Sequence, residues 1–90
     1  MSVRVVLHPM FYGHVNGKDS IEVEGKSVGE CLAALVARFP TLKGELFRND
    51  GKLKEYLEIY VNGKSAYPEE LTCTVTDGDE VRIIVFAAGG

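Results

Sequence analysis

Few residues in this 90-residue chain have the types and spacing that chemistry requires. His8 and His14 are its only histidines, Cys31 and Cys73 its only cysteines, and neither pair has the spacing of a metal or redox motif. No serine or cysteine sits in a nucleophile motif, so a hydrolytic triad has no support. The glycines spell neither G-x-x-x-x-G-K nor G-x-G-x-x-G, which leaves no phosphate cradle. What remains is the run Ala87-Ala88-Gly89-Gly90.

A glycine carboxylate is a poor electrophile until a partner converts it to an acyl adenylate. Sulfide can then displace AMP to leave a thiocarboxylate, and a persulfide can displace it to leave an acyl disulfide that a second thiol cleaves to the same thiocarboxylate, whose sulfur is a nucleophile. The run is suited to delivering such a group. Four residues extend about 13–14 Å, none carries a bulky side chain, and glycine lets a partner close around the backbone. Two glycines at two given positions arise by chance in about 0.5% of chains. The pair therefore takes its meaning from the element that holds it.

That element is a predicted strand in which Val81, Ile83 and Val85 alternate with Arg82, Ile84 and Phe86. Upstream, Val3, Val5 and Leu7 give the inward face of a first strand, with His8 on its polar face, and Ile21 to Glu24 alternate as a second. Between them Met10 to Ser20 is turn-rich. Ser27 with Glu30 forms a capping box, and Val28, Leu32, Leu35, Val36 and Phe39 make the apolar stripe of a helix that stops at Pro40. Thr41 to Glu55 reads as a short helix and loops. Leu57 to Val61 is a strand running into Asn62-Gly63, the dipeptide of two-residue hairpins, with Lys64 to Tyr67 as a short partner. Thr72 to Val75 reads as a short extended piece. Cys31 and Cys73 fall in the helix and in that piece and are read as structural. The order predicts an α+β domain, a mixed sheet of four to five strands with one main helix across it: the β-grasp, or ubiquitin-like, arrangement. Residues 1–86 form the expected domain and 87–90 a flexible tail.

Composition limits the partners. A net charge of −3 and pI near 5.3 argue against nucleic acid. No apolar run approaches the roughly 20 residues of a membrane span, and Met1-Ser2-Val3-Arg4 does not open a signal peptide, so a cytoplasmic protein is expected.

The stretches Ile59-Tyr60-Val61-Asn62-Gly63, Asp77-Gly78-Asp79-Glu80-Val81 and Gly89-Gly90, in this order, resemble the MoaD/ThiS family of ubiquitin-like sulfur carriers over nearly the whole chain. The resemblance implies no catalysis by the chain itself and no bound cofactor. An E1-like adenylyltransferase of the MoeB/ThiF kind would use ATP to adenylate Gly90, which becomes a thiocarboxylate, with Ala87, Ala88 and Gly89 threaded into the partner. The leading destination is molybdopterin synthase, whose large subunit would accept the sulfur. Thiamin, thiolated tRNA and sulfur amino acids are related destinations. Family members that serve molybdopterin synthesis often carry prolines before the tail, where this chain has Val85-Phe86-Ala87-Ala88. A ubiquitin-like modifier joined to lysines through Gly90 and an interaction module with an inert tail are the competing classes. Ile84 and Phe86, on the face away from the core, form a docking patch unless Met10, Phe11 and Tyr12 cover it, and Arg82 either flanks that patch or is a solvated charge.

Overall fold

Alternation decides the sheet. Val3 and Val5 of β1 (Val3–Val6), Ile21 and Val23 of β2 (Ser20–Val23), Leu57 and Ile59 of β3 (Leu57–Val61), and Val81 and Ile83 of β5 (Glu80–Val85) are all buried. A two-residue strand, β4 (Lys64–Ser65), completes a five-stranded sheet in the order β2-β1-β5-β3-β4. β1 and β5 run parallel and the other neighbours antiparallel. The computed structural model describes residues 2–86, and the expected tail 87–90 lies outside them.

Helix α1 (Val28–Arg38) begins where the cap predicts. The Ser27 hydroxyl accepts from the Glu30 N–H at 3.1 Å, and the Glu30 carboxylate accepts from the Lys26 N–H at 2.9 Å, one residue earlier than a standard capping box. Val28, Cys31, Leu32 and Leu35 are buried with Val5, Ile59 and Ile83, while Val36 and Phe39 pack at the margin. A Cβ at Gly29 would lie 2.8 Å from the Leu71 carbonyl oxygen, so the first turn of α1 sits directly on the 3-10 turn Glu70–Thr72. That turn occupies the start of the piece expected to be extended, and only Thr74 pairs, by a single bridge to Ser27. Cys73 follows the turn half-buried rather than lying in a strand.

The Met10–Ser20 connection also corrects the sequence reading. Pro9–His14 is a 3-10 helix, and His8 lies beyond the end of β1 as its N-cap, with Nδ1 accepting from the Met10 N–H at 3.1 Å. The helix turns Phe11 fully into the core, so Phe11 cannot cover the far face of the sheet, and Met10 stays 48% exposed. Pro40–Leu42 and α2 (Lys43–Leu46) bury Leu42 and Leu46.

The two turns at one end of the sheet are tied together. Asn62 and Gly63 both have positive φ (51° and 85°), as the two-residue β3–β4 hairpin requires. The Asn62 amide donates to Asp79 at 3.0 Å and accepts from the Glu80 N–H at 2.9 Å. Asp79 also accepts from the Thr76 N–H at 2.8 Å, and its carbonyl accepts from the Arg4 N–H at 3.0 Å. Asn62, then Thr76, holds the Asp79 carboxyl below its usual range. A depressed folded-state value contributes stability above the unfolded carboxylate pKa and loses it as pH falls through the folded one. Asp79→Asn is therefore expected to flatten the acid limb of a melting profile between pH 5 and pH 2. Parallel wild-type and variant profiles in that window would show the clamp to be neutral.

Candidate functional site

The expected site begins where β5 ends. Val85 stands opposite Leu57, and the Phe86 N–H donates to the Tyr56 carbonyl at 2.7 Å. The backbone is thus fixed through Phe86. Ala87, Ala88, Gly89 and Gly90 follow, outside the described residues.

Because Val81 and Ile83 face the core, Glu80, Arg82 and Ile84 point to the face away from α1. Ile84 is half-buried, Arg82 is exposed and Phe86 is 50% exposed. Strand register adds residues that the sequence does not single out. Val6 and Tyr60 both stand opposite Arg82, and Glu58 opposite Ile84, so all share this open face. Alternation marked Val6 and Tyr60 as outward, but their proximity to Ile84 depends on β5 lying between β1 and β3. Hydrogen bonding to Glu58, and then the charge of that carboxylate, push the Tyr60 phenol up, so Tyr60 presents a neutral ring. Glu80 lies 3.4 Å from Arg4 and 3.3 Å from Arg82, a surface cluster worth at most about 1 kcal/mol per pair. The result is a half-apolar face ending near the root of the last four residues.

Beside Phe86 lies a groove of about 780 Å³ between residues 48–55 and 67–72, with Leu53, Tyr67 and Leu71 in its lining. Tyr67 is 73% exposed, and Tyr67 and Phe86 are two of the three exposed large apolar side chains among the described residues.

The thiols and histidines do not assemble into a catalytic set. Cys31 is fully buried, and burial, then the charge of Glu30, raises its thiol pKa, the reverse of what a reactive cysteine needs. The His14 ring is hydrogen-bonded to the Thr41 hydroxyl at 2.8 Å, joining two 3-10 turns. Among the described residues no three His, Cys, Asp or Glu side chains come together to hold a metal ion, and no helix is long and apolar enough to cross a membrane.

A family model described as the ThiS family matches residues 12–90, through Phe86 to Gly90. The chain belongs to the ThiS family. Among relatives, sulfur carrier protein CysO of Mycobacterium tuberculosis is 29% identical over 93 residues, covering 100% of both chains. Small archaeal modifier protein 1 of Haloferax volcanii is 34% identical over 71 residues, 78% of each chain. The crystal structure of the Amycolatopsis orientalis BexX/CysO complex contains a chain that superposes with a TM-score of 0.87 at 29% identity, covering 98% of this chain and 99% of that one. The β-grasp fold of this ThiS-family member is therefore shared with proteins of that group.

Proposed function

We propose that this ThiS-family chain is a sulfur carrier that works through the carboxylate of Gly90. The supporting observation is the full-length match to a protein named a sulfur carrier, which takes in residues 87–90. An E1-like enzyme uses ATP to form the Gly90 adenylate. A sulfur donor then displaces AMP, and the thiocarboxylate passes its sulfur to an acceptor enzyme, all in the cytoplasm. The chain supplies reach and recognition and holds no cofactor, while its partners supply catalysis. Molybdopterin synthase heads the sequence-based destinations. The relatives named above are sulfur carriers and a modifier, and the role proposed here holds equally for thiamin, thiolated tRNA or sulfur amino acids as the destination.

The test is the intact mass of the chain isolated from its own cells and after incubation with an E1-like partner, ATP and sulfide. Replacement of one terminal oxygen by sulfur is expected. An unchanged mass in both preparations overturns the reading. The likeness to a small archaeal modifier protein favours a second reading, conjugation through Gly90. It predicts higher-mass adducts that vanish when Gly90 is deleted.

The open face of the sheet is the docking surface in this proposal, with Arg82, Ile84 and Phe86 at its centre and Val6 and Tyr60 beside them. Ile84→Ala is expected to raise the KM for the carrier in the adenylation reaction about tenfold, since central apolar contacts contribute about 1–2 kcal/mol. Its kcat should hold, because the reacting carboxylate is six residues away. An unchanged KM would remove Ile84 from the docking surface.

A further inference from the structure

We propose that the groove beside Phe86 is a parking site for the chain's own residues 87–90, with the Gly90 carboxylate held against the wall that carries Lys52 and Lys54. Three observations converge on this occupant. Phe86 itself lines the groove, so the segment starts at its mouth and its four residues reach about 13–14 Å, enough to cross a cavity of this size. The groove is also where exposed apolar surface gathers, with Tyr67 and Phe86 at its rim and Leu53 and Leu71 in its lining. Its volume of about 780 Å³ falls in the range of roughly 300–1,000 Å³ that holds small ligands, and Ala-Ala-Gly-Gly can enter without a bulky side chain.

Charge sets the direction of the segment. Arg48, Lys52 and Lys54 share one lining stretch with Glu55, Glu58 follows it on β3, and Glu69 and Glu70 lie on the other, so the cations of this mixed lining are confined to one side. Arg48 is paired with Asp50 at 2.8 Å, and the Lys52 backbone N–H also donates to Asp50 at 3.1 Å, whereas among the described residues neither the Lys52 nor the Lys54 ammonium forms an ion pair. A carboxylate is attracted to the two lysine ammoniums and kept away from Glu55, Glu58, Glu69 and Glu70. The tether supplies an effective concentration in the millimolar range for a short linker, so a weak contact suffices to populate the parked state. Parking would lower the fraction of chains ready for threading, and an activating partner would have to draw the segment out. That consequence rests on Gly90 being the loaded terminus, but the contact itself does not.

Amide resonances of the full chain compared with a chain lacking residues 87–90 test the proposal. Deletion is expected to shift Leu53, Lys54, Leu71 and Thr72 as well as Val85 and Phe86. The groove shifts should shrink in 1 M salt, where screening length falls to about 3 Å, and in the Lys52→Glu/Lys54→Glu variant, whose changes lie at the protein surface. Shifts confined to Val85 and Phe86 overturn the proposal. So do groove shifts that scale with protein concentration, which would make a second copy the occupant, or that arise only on adding the activating enzyme. The resonances report without sulfur chemistry, so a failed parking site leaves the carrier reading standing. Absence of a thiocarboxylate would likewise leave the groove result intact.

Discussion

Deletion of Gly90 is expected to reduce adenylation and sulfur loading at least about 100-fold while leaving the thermal midpoint within error of the parent. The asymmetry follows from where the described sheet closes. Its last hydrogen bond joins the Phe86 N–H to the Tyr56 carbonyl, and among the described residues the buried core is assembled entirely from residues 3–83. Removing one residue draws the terminal carboxylate back by about 3.3–3.6 Å, and displacements near 1 Å already cost about 10²-fold in an oriented reaction. Gly89 remains as a carboxylate of the same chemical type, which makes the experiment a test of position rather than of functional group. A single-turnover adenylation assay checks the rate and calorimetry checks the fold. Loading that persists within threefold would mean that the chemistry does not depend on the reach of Gly90.

Phe11→Ala is expected to be the most destabilising of the substitutions considered, by about 3–5 kcal/mol, the usual range for removing a fully buried aromatic side chain. Phe11 is 0% exposed and sits in one cluster with Val5, Leu35 and Ile83. A ninety-residue domain holds only about 5–13 kcal/mol in total at 0.05–0.15 kcal/mol per residue. Urea unfolding should move to a midpoint lower by more than about 1 M, given slopes of about 1–3 kcal/mol per M. If Phe11 were instead a cover on the open face, the midpoint would barely move and docking would change.

The sequence readings succeed where period and local chemistry agree. Ser27 and Glu30 mark the start of α1 within one residue, because capping is a local hydrogen-bond problem. Val81 and Ile83 are buried as their alternation requires. The readings fail where long-range packing overrides local pattern. His8 continues the alternation of β1, but Pro9 can start a 3-10 turn and cannot donate to a ladder, so the strand stops at Val6. Phe11 carries no periodic signal at all, and it is buried because the Pro9–His14 turn aims it at the sheet.

The stretches that carried the family resemblance divide in the same way. Asn62-Gly63 and Asp77-Gly78-Asp79 form the clamp at the end of the sheet where β5 begins, far along the strand from Phe86. They specify fold rather than chemistry. The sequence by itself determined the main strands and helix α1, the side-chain-poor run Ala87 to Gly90 and the poverty of catalytic groups, all of which depend on residue type and near neighbours. Only the tertiary structure decided that Val6, Tyr60 and Ile84 share one face and that a groove opens beside Phe86. Both depend on strand order and on the packing of segments far apart in the chain, which no local pattern encodes.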